Sequence, residues 1–307
     1  DRSPSRGLGD VYKRQILSSA AASLIIVKVL ALTAMLTIPK NRGKMIGVVY
    51  TGFSGANVFG VPIGTMIGDT IGWRFTFLFI IIVSVIAGVL MMVYLPSTSE
   101  LNQVQRQWGS TSNKQLNTSK ILRPVEVVKY LAITFLILVA NSVTFVYINP
   151  LILNHGHQMG FVSLALLVNG IAGVIGTSLG GILADKLSSK RWLIIAFSIF
   201  IVMMLIMNLI LHTVTLLLIG LFIWNIVQWS TNPAIQSGMI EHVEGDTSQV
   251  MSWNMSSLNA GIGFGGIIGG LVVSNISVQA VTIVSAMVGA MGLIIVLSLK
   301  NMSYMRN

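Results

Sequence analysis

A chain of 307 residues that is 54% hydrophobic and only 9% charged, with a mean hydropathy of +0.82, lies outside soluble composition, where about 25% of residues are charged. The absence of cysteine excludes disulfides, cysteine-ligated zinc and a cysteine nucleophile. A net charge of +10 would suggest nucleic acid in a soluble protein, but here the basic residues are gathered in loops between apolar stretches, so the expected partner is the lipid bilayer and not nucleic acid.

Residues 1–15, DRSPSRGLGDVYKRQ, are polar and patternless and read as a non-native leader. The run from Asp10 to Gln15 resembles the translated end of a transposon adapter used in sequencing libraries. The stretch that follows is too long for a signal peptide and long enough to span. Apolar stretches near 20 residues recur nine times, at 16–38, 45–68, 74–95, 126–150, 158–184, 192–211, 214–240, 249–273 and 278–299. They predict an all-α polytopic membrane protein: three helices in 16–95, a cytoplasmic linker in 96–125, six helices in 126–299 and a cytoplasmic tail in 300–307. The linker has Pro96 and Pro124 near its ends and is rich in Ser, Thr, Asn and Gln.

Basic residues fall in alternate loops. Lys40, Arg42 and Lys44 form one group, Arg106, Lys114, Lys120, Arg123 and Lys129 a second, and Lys186, Lys190 and Arg191 a third. The intervening loops hold almost no Lys or Arg, only Arg74, which places the three basic loops in the cytoplasm. Lys28 stands inside the first span, about 18 Å from either end at 1.5 Å per residue, and an intramembrane cation is a functional candidate by default.

In the second span small residues recur every fourth position, at Gly52, Ala56, Gly60, Gly64 and Gly68, a stripe that lets another helix approach closely. Pro62 within it predicts a kink. The segment Phe59–Gly64 aligns with Phe264–Gly269 at an offset of 205, so spans one to three mirror spans seven to nine. The same offset carries Lys28 onto Pro233, beside Asn232.

Gly60, Pro62, Gly64, Gly72, Trp73 and Arg74, with Ala56 and Asn57, resemble the antiporter motif of the major facilitator superfamily, in its arabinose-efflux and drug:proton antiporter branch. That resemblance implies two parallel six-helix halves rocking about a midplane cavity, so nine helices are present of an expected twelve and about three precede the first span. Gly180, Gly181, Asp185, Lys186, Lys190 and Arg191 are similar to the family's cytoplasmic gate loop, in which an acid caps a neighbouring helix; an ordinary positive-inside loop is the alternative.

The seventh span carries Asn225, Gln228, Asn232 and Gln236 on one face, flanked by Trp224 and Trp229, and the fourth carries Asn141, Phe145 and Asn149. Amides are costly in hydrocarbon, so these faces look at protein or at a watery cavity. The resemblance makes them substrate-binding helices, together with Lys28 and Asn254; interhelical hydrogen-bond glue is the competing reading. Gly261, Gly265 and Gly269 read as packing, and the dinucleotide-like spacing at Gly261, Gly263 and Gly266 as a coincidence inside a helix. Asp69 is the one carboxylate expected within the spans, in a gating or capping role. His155 and His157 have no nearby cysteine or carboxylate companions, and no metal or cofactor is expected.

The function expected from the resemblance is proton-coupled efflux of a small neutral polar or anionic compound (sugar, nucleoside, amino acid or drug) by a monomer in a bacterial plasma membrane. The alternative is a non-transporting membrane sensor with a transporter-like bundle. Without a paired carboxylate or nucleophile–base set, an enzyme is not expected.

Overall fold

In a computed structural model, residues 4–94, 120–156 and 159–300 are described. The helices are α1 (Pro4–Leu36), α2 (Arg42–Gly55), α3 (Val61–Thr70), α4 (Trp73–Tyr94), α5 (Pro124–Phe145), α6 (Ile148–Leu153), α7 (Met159–Leu187), α8 (Ser189–Ile210), α9 (Val214–Ile240), α10 (Ser248–Asn275) and α11 (Ala280–Leu297). Two two-residue strands, β1 (Lys120–Ile121) and β2 (Val243–Glu244), complete the described elements. The all-α membrane fold is therefore as expected, with eight helices among the described residues long and apolar enough to cross a membrane.

The second expected span, 45–68, is distorted by a π turn. The segments α2 and α3, of 14 and 10 residues, are joined by a five-residue π turn, Ala56–Gly60. Pro62 follows that turn in a helix that otherwise runs on, and because it offers no N–H to the carbonyls before it, the widened turn lies where that hydrogen bond is missing. The fourth span is divided, because α5 ends at Phe145 and α6 resumes at Ile148. Helix α1 runs unbroken through residue 15, so no structural boundary marks the end of the expected leader.

The carboxy-terminal group packs as a layered bundle. Helix α5 lies against α10 and α11, α8 against α9 and α11, and α7 against α9. Its core is built from large side chains buried on several helices, among them Ile133, Ile137, Phe197, Phe200, Met204 and Trp224. Helix α4 is different: it is apolar on every side, and among the described residues it packs chiefly on α3, with none of its own residues buried.

The glycine ladder of α10 is a packing device, as its spacing suggests. A Cβ at Gly261 would lie 2.7 Å from Phe135 O, one at Gly265 2.7 Å from Val139 O, and one at Gly269 2.8 Å from Val143 O, so α10 rides on the backbone of α5. At the basic end of the bundle, Lys129 Nζ donates to Ser298 O at 2.9 Å and Lys190 Nζ to Leu297 O at 2.9 Å, satisfying carbonyls at the end of α11 where cations are favourable. The pairing of β1 with β2 fastens the end of the linker to the turn after α9.

Gly265→Leu is expected to destabilise the bundle by about 1–3 kcal/mol or more through overpacking. Gly263→Leu, where nothing lies within 4 Å, should leave the melting temperature in detergent unchanged. Equal melting of the two variants would show that the ladder does not hold α10 to α5.

Candidate functional site

The amino-terminal helices meet the carboxy-terminal group along α7, which carries glycine on two faces. Toward the first group, a Cβ at Gly173 would lie 3.1 Å from Ser54 Cβ, and one at Gly43 2.8 Å from Gly181 O. Gly170 faces Val58 of the π turn. Toward α9, Gly176 faces Ile226 and Gly180 faces Ser230. Because no side chains intervene, hydroxyls bridge the seam directly: Thr51 Oγ1 to Ser178 Oγ at 2.8 Å and to Thr177 Oγ1 at 3.2 Å, and Ser54 Oγ to Thr177 Oγ1 at 3.4 Å.

At the basic end of the same seam, Asp185 of α7 accepts Gly43 N at 2.9 Å and Lys44 N at 2.7 Å. A carboxylate from one group thus caps the first turn of a helix in the other, where unpaired N–H groups and the helix dipole favour an anion. Arg42 and Glu241 lie beside it: burial lowers the Arg42 pKa against the pull of Glu241, and burial raises that of Glu241 against the pull of Arg42. Of the expected gate-loop residues, Gly181 and Asp185 touch the other group. Gly180 packs within the carboxy-terminal group, Lys190 caps α11, and Lys186 and Arg191 are exposed.

The two amide faces are brought together. Trp224 Nε1 donates to Asn141 Oδ1 at 3.1 Å, Phe145 and Trp224 stack edge-on with centroids 6.4 Å apart, and Asn149 and Asn225 line one small cleft with Asn169 of α7. Within α9 the amides divide by partner. Asn225 Nδ2 donates to Leu221 O in its own helix at 2.7 Å, whereas Gln236 Nε2 crosses the seam to Tyr50 Oη. Asn254 accepts Thr134 Oγ1 at 2.7 Å and so ties α10 to α5. Gln228 and Asn232 are buried and make no side-chain hydrogen bond among the described residues. The glue reading therefore describes Asn141, Gln236 and Asn254, and leaves Gln228 and Asn232 open to a solute.

Two expectations differ from the contacts made among the described residues. Among the described residues the small-residue stripe meets little: nothing lies within 4 Å of a Cβ at Gly52 or Gly60, Ala56 is exposed, and Gly64 and Gly68 meet only Thr76 of α4. The seam uses the other face of α2, at Gly43, Gly47 and Ser54, because the glycines of α7 are there to receive it. Lys28 is not seated among the amides; Nζ donates to Ser248 Oγ at 3.3 Å, and Ser248 Oγ donates to Asp246 Oδ1 at 2.6 Å, so it reaches the start of α10. The side chains of Asn57, Pro62 and Asp69 lie outside the described residues.

Several residues of this region escaped the sequence reading. Tyr50, Thr51 and Thr177 carry no spacing signal, and Asn169 is a single amide on an apolar helix. Glu126 is buried at the start of α5, where its carboxylate holds Lys129 Nζ at 3.0 Å and Lys300 N at 3.1 Å.

With this geometry in hand, a sequence profile described as Major Facilitator Superfamily matches residues 15–254. The chain belongs to the major facilitator superfamily. It is 30% identical over 94% of its length to an uncharacterized MFS-type transporter, YbcL, of Bacillus subtilis, spanning 71% of that protein. It is 30% identical over 77% of its length to YtbD of the same organism, spanning 59% of it. A "Probable sugar efflux transporter" of Helicobacter pylori (strain J99) is 27% identical over 94% of this chain and 68% of its own. Major facilitator proteins are transporters and not enzymes, so the chain is a multi-pass membrane protein whose partners are the bilayer and a small-molecule substrate.

Removing the cross-seam cap tests its contribution. Asp185→Ala should cost about 1 kcal/mol, as loss of a helix cap does, and Asp185→Asn less, because an acceptor remains. Thermal melting of both variants in the same detergent gives the answer, and an unshifted Asp185→Ala would remove the cap from the account of the seam.

Proposed function

We propose that the chain exports a small neutral polar or anionic solute by alternating access, coupled to the proton gradient, as a monomer in a bacterial plasma membrane. The observation that carries the reading is one face of α9, where Gln228 and Asn232 make no side-chain hydrogen bond among the described residues and Gln236, which gives Nε2 to Tyr50, keeps its Oε1 buried without a partner. Buried amides cost free energy unless a partner arrives, and a solute rich in hydroxyl or carbonyl groups supplies one. No titratable carboxylate lies on that face of α9, so a cation gains no counter-charge there. Sugar is the favoured solute class, in keeping with the sugar efflux names of the Helicobacter relatives.

Mechanistically, the seam has the properties a moving contact requires. Its glycine-to-backbone surface is smooth, and the Asp185 cap, the Lys28–Ser248 contact and the Tyr50–Gln236 contact are separable polar latches. Proton coupling is drawn from the antiporter motif at Gly60, Pro62 and Gly64.

The test uses cells expressing the complete gene and loaded with radiolabelled neutral sugars and nucleosides. Efflux of at least one of them should be accelerated, should stop when the proton gradient is collapsed, and should fall at least tenfold in Gln228→Leu with unchanged abundance in the membrane. Acceleration confined to a lipophilic cation such as ethidium would overturn the substrate class. Efflux indifferent to the proton gradient would overturn the coupling.

A further inference from the structure

At the end of the bundle opposite the basic loops, two histidines from different loops meet. His155 follows α6 and His212 lies between α8 and α9, yet their ring centroids are 5.1 Å apart with planes inclined at 68°. His155 Nδ1 lies 2.9 Å from Leu151 O. A carbonyl oxygen only accepts, so Nδ1 carries the proton and Nε2 keeps its lone pair. This is how a metal-ligating imidazole is held, with one nitrogen donating to the protein and the other free to bind. His212 is exposed, and its side chain makes no hydrogen bond among the described residues.

The separation can be compared with that of two imidazoles on one ion. With a metal–nitrogen distance of about 2.1 Å, and each ring centre about 1.1 Å behind its nitrogen, a tetrahedral angle puts the centroids about 5.2 Å apart. The observed separation of 5.1 Å matches that spacing. A contact made only for packing would bury both rings, whereas His155 is half-buried and His212 is open to solvent.

We propose that His155 and His212 form a two-imidazole binding site for a divalent transition metal ion, with zinc, nickel and copper as the ions that imidazole suits. No group of three or more His, Cys, Asp or Glu gathers among the described residues, so the remaining positions are filled by water and the ion is exchangeable. The site would fasten α6, the short helix beyond the break in the fourth span, to the α8–α9 loop. It stands apart from the amide faces and does not depend on the reading of substrate or coupling.

The experiment uses the purified, tag-free chain in detergent, titrated with zinc by calorimetry and with copper by electron paramagnetic resonance. His157 lies two positions from His155, so every titration is made in a His157→Ala background. One zinc per chain is expected, His155→Ala and His212→Ala should each weaken binding at least tenfold, and the double variant should lose little more. The copper spectrum should show two coupled nitrogens, reduced to one in either single variant, a readout that overall destabilisation does not imitate. Absence of saturable binding in the background protein, binding unchanged by His212→Ala, or a single coupled nitrogen from the outset would overturn the proposal.

Discussion

The absence of side chains on two faces of α7 is the constraint from which the rest of the seam follows. Only glycine lets α7 press its backbone against α2 on one side and α9 on the other, and any Cβ at Gly176, Gly180 or Gly181 would run into a neighbour's main chain. In lipid there is no hydrophobic drive between apolar helices, so such contact and the hydrogen bonds it permits must hold them together. The hydroxyls of Thr51, Ser54, Thr177 and Ser178 reach each other because the backbones are this close. The Asp185 cap is likewise possible only where Gly43 and Gly181 leave room for the carboxylate to reach the start of α2.

The same closeness determines which polar groups are consumed by the fold. Asn141, Gln236 and Asn254 each find a partner on another helix, and Asn225 turns back on its own. What remains is a short segment of α9 around Gln228 and Asn232, with the buried, unpartnered Oε1 of Gln236 one turn on. Pro233 lies in that segment and donates no hydrogen bond to the carbonyl four residues earlier, at Trp229. A freed carbonyl and two unspent amides in one turn give α9 a local concentration of hydrogen-bonding capacity inside an apolar bundle.

Much of this architecture was legible in the residues, for identifiable reasons. Spans were visible because a bilayer demands long apolar runs, and the α10 ladder because the spacing of Gly261, Gly265 and Gly269 matches the turn of a helix. The stripe from Gly52 to Gly68 has the same spacing, and there periodicity shows only that a helix has a bare face, not which neighbour occupies it. Lys28 misled for a related reason, since its distance along α1 says nothing of how far a flexible side chain reaches toward Ser248. Contacts between distant segments, such as Tyr50 with Gln236, Lys129 with Ser298 and β1 with β2, carry no local signal, because each depends on tertiary placement alone.

The small ladder formed by β1 and β2 changes where the connection between the two groups of helices is anchored. Leu122 N also donates to His242 O at 2.9 Å, so the returning chain is held at three successive residues before α5 begins. Among the described residues, the returning chain first meets the turn joining α9 to α10, ahead of α5. The amide-bearing helix and the glycine-ladder helix thus share one hinge point with the chain that enters α5, a joint of main-chain hydrogen bonds that stays the same whatever side chains β1 and β2 carry.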